Sequence, residues 1–370
     1  MGDPGSRYLE DVSLVLPLNA STSPNYLLSA GSAPLSGVAS QEIKVYQDSS
    51  GGVNYRSENH MNANRWVPIT FKGYKATSGA STLTSGDRVQ PWLDVSSSSG
   101  GIAVGVRQFW QNFPKALSYS STGVRVGLFP TEFADVFEIQ GGEQKTHEMH
   151  LYFHSGAGTA SSIDPVMAAL NTPLVAAAPA AWYQSSGAFL YEDSTREGQM
   201  GQSGTLEATF DTIYYPVGAT GRSYVSQWEV IDAYGWRNFG DVMSDYETNC
   251  GKDTGSLDSP LAHYNNQYDY VAGALNMFAR TLDPNFLQFA YDTARHTVDI
   301  DVYHTTLGYQ AYAGGMFWHT THDVWADTSS HRSYPMAEVS SACTPYTAGG
   351  PGLGHLYVDG LVGYYFMTGD

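Results

Sequence analysis

The chain has 370 residues, enough for two or three domains with real cores, and its 42% hydrophobic and 15% charged content is that of a globular protein rather than a disordered one. Its 36 acidic residues against 18 basic ones leave a net charge of −18, which excludes nucleic acid as a natural partner because phosphate contacts need clustered Lys and Arg. No run of about eighteen apolar residues spans a membrane, and Met1 to Ser6 lacks the basic start and apolar stretch of a secretory signal, so any such signal is expected to have been removed or never present.

The first 220 or so residues read as β structure, in which Gly and Ser clusters punctuate short alternating runs. Ile102, Val104 and Val106 alternate with small residues, and Val124, Val126 and Leu128 alternate with Arg125 and Gly127. Gly141-Gly142 reads as a turn with a strand after it, in which His147, Met149, Leu151 and Phe153 share one face and Glu148, His150, Tyr152 and His154 the other. Many such strands without long helices predict an antiparallel β-sandwich over residues 1–222. Residues 160–182, with eight alanines and with Pro165 and Pro173, predict a short helix and loops inside it.

From residue 223 to 370 the period becomes helical. Tyr270 to Arg280 predicts one helix, and Pro284, suited to a first turn, opens a second that continues to His296. Together they make an αα-hairpin. The hairpin start recurs at an offset of 87 residues, with five identities in fourteen: Tyr270, Val271, Gly273, Thr281 and Asp283 match Tyr357, Val358, Gly360, Thr368 and Asp370. Repeated αα-hairpins stack into solenoids or close into toroids. The second copy reaches only its turn at Asp370, so a partial, incomplete toroid is expected, and the N-terminus is expected to begin inside a larger sandwich.

Aromatic residues make up 13% of the chain, 26 Tyr and 8 Trp among them, and flat aromatic faces suit sugar rings as well as ordinary cores. Seven of the 11 histidines lie between His263 and His355, in clusters that include His263-Tyr264-Asn265, Trp318-His319 with His322, and His331-Arg332. Arg332 is the only Lys or Arg after Arg295, which makes it a candidate anion contact or, equally plainly, half of a structural ion pair. His319 and His322 share a face at helical spacing, as metal ligands or as polar residues lining a cleft. In the β half, Lys145 and His147 fall on the face that carries Met149 and Leu151; a lysine there is either at the sandwich rim or in a buried ion pair. Arg107 and Trp110 stand in a run rich in residues that suit sugars or a core. Cys250 and Cys343 make one disulfide or two free thiols, and Asn19-Ala20-Ser21 is a glycosylation acceptor pattern. No Gly-x-Ser-x-Gly, phosphate-binding Gly-rich loop or His-Glu-x-x-His occurs.

Several strings stand in a familiar order: Phe109-Trp110-Gln111-Asn112-Phe113-Pro114-Lys115, Gly141-Gly142-Glu143-Gln144-Lys145-Thr146-His147-Glu148, Asp299-Ile300-Asp301-Val302-Tyr303-His304-Thr305, Phe317-Trp318-His319-Thr320 and Ser330-His331-Arg332-Ser333-Tyr334. Over residues 55 to 370 the chain resembles the exo-rhamnogalacturonan lyases of polysaccharide lyase family 26, with a central β-sandwich and a C-terminal α/α toroid; that family's first β-domain has no counterpart here. The resemblance implies a secreted or periplasmic enzyme that cleaves an acidic plant or microbial polysaccharide by β-elimination at a uronic acid. Such chemistry needs a cation or amide on the carboxylate, a base for the C5 proton and an acid for the leaving oxygen. The expected reacting residues are His331, Arg332, His322, Tyr264, Lys145 and His147, with Trp318, His319, Asn265, Arg107 and Trp110 against the polymer. No cofactor is predicted, and a role for a divalent cation such as calcium is left open. A glycoside hydrolase on the same architecture and a non-catalytic sugar-binding fragment are the competing expectations.

Overall fold

The computed structural model describes residues 6–18, 23–60, 62, 64, 66–188, 223–244, 262–307, 310, 313–317 and 356–370. The strands come first: β1 (Arg7–Leu9), β2 (Val12–Leu16), β3 (Asn25–Leu28), β4 (Leu35–Val38), β5 (Ile43–Gln47), β6 (Tyr74–Ser78), β7 (Ser81–Gly86), β8 (Trp92–Ser96), β9 (Gly101–Val106), β10 (Lys115–Ser120), β11 (Gly123–Phe129), β12 (Phe137–Ile139) and β13 (Met149–His154). A six-stranded antiparallel sheet runs β2-β11-β10-β5-β6-β7, and a five-stranded one runs β13-β9-β8-β3-β4. Their inner faces share one core. Val45, Ala76, Leu117, Val124 and Val126 from the first sheet meet Leu28, Leu93, Val95, Ile102 and Val104 from the second. Burying each Val, Leu or Ile among them is worth about 1.5–3 kcal/mol relative to exposure.

The alternation read over 102–106 and 124–128 therefore points inward as predicted. The strand expected after Gly141-Gly142 starts later, at Met149. Residues 144–146 bond instead to Asp299 far along the chain: the Gln144 amide donates to the Asp299 carbonyl at 2.9 Å, and the Thr146 amide to its carboxylate at 2.8 Å. Met149 and Leu151 do pack on the sandwich core, but Phe153, at the strand's end, is 69% exposed. The outer face of the five-stranded sheet is covered by α1 (Ala160–Asn171), whose Ile163 and Met167 pack on Trp92 and Ala103. A short α2 (Ala180–Ser186) follows.

The second half is helical. Helix α3 (Tyr224–Ile231) starts at Ser223, whose hydroxyl accepts from the Ser226 amide, and ends at Asp232 in the left-handed region. A two-stranded ladder joins Met243–Ser244 to Ala262–His263. Helices α4 (Tyr270–Thr281) and α5 (Pro284–His296) form the predicted hairpin, with the Asp283 carboxylate accepting from the Asn285 amide and Pro284 in the first turn. Helix α6 (Asp359–Thr368) packs on both.

The 87-residue repeat is also a repeat of hydrogen bonds. Leu282 and Gly369 both stop their helices in the left-handed conformation, with amides donating at 2.7 Å to Phe278 and Tyr365. The Thr281 and Thr368 hydroxyls donate back to Met277 and Tyr364 at 2.7 and 2.8 Å, then accept from the amides of Asp283 and Asp370. Gly360 cannot be larger, since a Cβ there would lie 2.3 Å from the Ala272 nitrogen.

The helical core, centred on Trp228, Leu275, Phe278, Phe286 and Phe289, takes in Ile69 and Phe113 from loops of the sandwich. The architecture is β first and α after, as predicted. The boundary placed at residue 222 lies outside the described residues, as do Cys250, Cys343 and the acceptor pattern at Asn19.

Candidate functional site

Three sequence-predicted residues meet where the sandwich touches α5. A small chamber of about 20 Å³ is lined by Arg107, Lys145 and His147, with Glu148, Tyr291, Asp292 and Arg295 among its other walls. Five of its residues, Arg107, Thr146, Glu148, Tyr291 and Arg295, also line an adjoining groove of about 970 Å³ that runs past α5 and the end of α6.

Arg107 follows the last residue of β9, and its amide donates to the Glu148 carbonyl at 2.9 Å. Its guanidinium lies 3.7 Å from the centre of the Tyr291 ring and bonds the Glu148 carboxylate at 3.1 Å. The Tyr291 hydroxyl donates to the same carboxylate. Arg295, one turn further along α5, pairs with Asp370. Lys145 is held by its neighbours: the Thr146 amide and hydroxyl both donate to Asp299 at 2.8 Å. Asp299 itself is fully buried in the π-helical turn Thr297–Asp301 that continues α5.

The electrostatics of the chamber depart from those of a solvated surface. Burial draws the Lys145 ammonium down to about 8; Asp299 opposes that shift, Arg295 adds to it and Asp292 opposes it. Among the described residues Lys145 has no ion-pair or hydrogen-bond partner. Burial, then the charges of Lys115 and Lys145, holds His147 well below the usual imidazole range. Its Nε2 has no hydrogen-bond partner. Burial raises Asp292 to about 7, against hydrogen bonds from Gln108 and Gln288 and the charges of Arg107 and Lys145. At neutral pH the chamber thus holds a neutral imidazole, an amine close to its own titration and a carboxyl group close to its own.

The other predicted residues lie elsewhere. Tyr264 and Asn265 are fully buried in the helical half; Asn265 donates to the Phe317 carbonyl at 2.6 Å and its amide to Asp241 at 3.0 Å. Neither reaches the chamber. Trp110 packs at a tilt against Tyr234, ring centres 4.9 Å apart, and lies beneath Arg88 at 4.1 Å. Trp318, His319, His322, His331 and Arg332 lie outside the described residues. Tyr291, Asp292 and Arg295 were not singled out from the sequence. The signal was present: Gln288, Asp292 and Arg295 recur at helical spacing on a helix whose Phe286, Phe289 and Ala290 are core.

Two further clusters belong to the frame. His296 lies fully buried at 3.6 Å from Asp301 and 3.8 Å from Asp241; burial pulls its imidazole down, but the two carboxylates outweigh it and raise it. A separate cavity of about 100 Å³ is lined by Phe113, Tyr234, Trp236, Asn59 and Asn238. Its amides bond backbone, Asn59 to the Ile231 carbonyl at 2.6 Å and Asn238 to the Asn59 carbonyl at 2.8 Å, while the Oε1 of Glu138 in its wall has no hydrogen-bond partner. Among the described residues no three His, Cys, Asp or Glu side chains are arranged to hold a metal ion. No protein-family model matches the chain, and no curated protein matches it.

Proposed function

We propose that this protein is a polysaccharide lyase that cleaves a uronic-acid-containing polymer of rhamnogalacturonan type by β-elimination, with the chamber between sandwich and α5 as its reacting site and the helical half as the front of an α/α toroid. One observation carries the reading. A chain with only 18 basic residues gathers three of them, Arg107, Lys145 and Arg295, beside a histidine kept neutral by burial.

The roles follow from the chemistry. The C5 proton of a uronate is weakly acidic because charge can spread into the adjacent carboxylate, and a cation there stabilises the developing anion. Lys145, without a carboxylate of its own, takes that position, supported by Arg107. The unpartnered Nε2 of His147 takes the C5 proton. Asp292, protonated up to about pH 7, gives its proton to the departing oxygen. The groove of about 970 Å³ accommodates the neighbouring sugars. The polymer is the partner, and a secreted or periplasmic location belongs with this reading.

The resemblance in residues 55 to 370 supports the same class, and His331, Arg332 and His322 remain candidates within it. The test is ultraviolet absorbance of the unsaturated uronate during incubation with rhamnogalacturonan. A rise that Lys145→Met and His147→Gln abolish is the expected result. A second reading has its own support, because Glu148 and the high-titrating Asp292 line one chamber as an acid–base carboxyl pair would. New reducing ends without a rise in absorbance would establish hydrolysis instead.

A further inference from the structure

We propose that Lys145 is also a nucleophilic amine that condenses with the carbonyl carbon of a 2-oxo acid, whose carboxylate is held by Arg107 and Arg295. The arrangement of the chamber carries this. Lys145 has no ion-pair or hydrogen-bond partner among the described residues, yet it is not mobile on its stem's anchor: Asp299 clamps Thr146 by two hydrogen bonds at 2.8 Å. Arg107, with a side chain nine-tenths buried, keeps an Nε without a hydrogen-bond partner. Arg295 lines the same chamber, its guanidinium 5.8 Å from the Tyr291 ring centre where that of Arg107 is 3.7 Å. A carboxylate is the anion two such planar donors fit. Arg107 and Arg295 also line the adjoining groove of about 970 Å³, where a small acid has room to meet them.

The amine is also in the right state. Burial brings it to about 8, so a usable share is uncharged near neutral pH, where an ordinary surface lysine is almost wholly protonated. Its lone pair attacks the carbonyl carbon, and the C–O π electrons move to oxygen, which takes a proton to give the carbinolamine. Nitrogen then loses its extra proton, and the hydroxyl leaves with a proton from Asp292 as water. The C=NH⁺ that remains is an iminium, which returns its proton to the Asp292 carboxylate, so amine and carbonyl balance against imine and water with no oxidant or reductant. A uronate made unsaturated at C4–C5 becomes a 2-oxo acid when its ring opens, which would tie the natural ligand to the product side of the proposed elimination. That link rests on the lyase reading; the adduct does not.

The full chain, incubated with pyruvate and cyanoborohydride, is read by intact mass and peptide mapping. Only six lysines compete in the whole sequence. The expected result is one reduced adduct, on Lys145, formed on the order of tenfold faster than on any other lysine. Acetone, which has the same carbonyl and no carboxylate, should lose that selectivity, as should Arg107→Gln with an unchanged circular dichroism spectrum. Lys145→Arg should leave only slow labelling elsewhere. Labelling spread over the lysines by exposure, or an unlabelled Lys145 in folded protein, overturns the proposal. An adduct without lyase activity leaves this proposal standing and removes the elimination reading, and the reverse result separates them the other way.

Discussion

Two polar clusters tie the sandwich to the helices, and they are built on opposite principles. In the first, the loop after β5 grips the end of α3. The buried Asp232 carboxylate accepts from the Ser50 hydroxyl and bonds the His60 ring at 2.8 Å. Asn54 and Asn59 donate to the carbonyls of Val230 and Ile231, which the helix leaves unpaired. This junction is closed but for the Oδ1 of Asn59, which has no partner; the charged groups in it answer one another. The second, around Lys145, is open, with an amine, an imidazole nitrogen and a guanidinium nitrogen that have no partner. A cluster that only holds parts together satisfies itself, because an unpaired buried group costs stability. A cluster that keeps such groups unpaired has been shaped by something other than stability.

Breaking the closed junction should have the largest effect. Asp232→Ala leaves Ser50 and His60 buried without their acceptor, and should lower unfolding free energy by about 3 kcal/mol in a denaturant titration. If the loss is under a few tenths, the junction is not what joins the halves. Asp299→Ala comes next, at roughly 2 kcal/mol, because it removes three side-chain hydrogen bonds to Gln144 and Thr146. It should also slow elimination, since Lys145 loses its anchor.

The open junction should respond with the opposite sign. Lys145 titrates near 8 in the folded chain against 10.5 for a free lysine, so the folded protein binds its proton less tightly. The penalty is full below pH 8 and disappears as pH rises through 10.5. Lys145→Met should therefore be more stable than the parent at pH 7, lose that advantage above pH 10.5, and be inactive. Asp292 is the mirror case, near 7 against 3.8, and the folded state loses stability as pH rises between those values. Asp292→Asn should gain relative stability above pH 7 and match the parent below about pH 4. Hydrogen bonds from Gln108 and Gln288 already work against the burial in this value, and the asparagine oxygen can still accept them. If Lys145→Met destabilises at pH 7, Lys145 belongs to the frame and the contrast between the junctions fails.

Much of the frame was legible from local pattern. Period two placed Ile102, Val104, Val124 and Val126 in the sandwich core, because a strand that buries one face must alternate. Asp283-Pro284 marked the hairpin turn, because proline lacks only the amide that a helix start leaves unpaired. The offset of 87 found two helices with the same capping bonds, since a helix end is a local structure written in a few adjacent residues. Lys145, His147 and Arg107 were visible as rare basic residues in polar strings.

What the sequence could not supply was which of them meet. Lys145 and Asp299 are brought together by two hydrogen bonds from Thr146 across 153 residues of sequence, and no periodicity reports such a contact. The same holds for Tyr264 and Asn265, which were expected at the site and whose side chains are buried in the helical half away from the chamber. Local rules act through the backbone period and the cost of an unpaired amide, so adjacent residues suffice to state them. A site depends on distances and on how much water is withheld, and only the packing of α5 against the sandwich sets those for Lys145, His147 and Asp292.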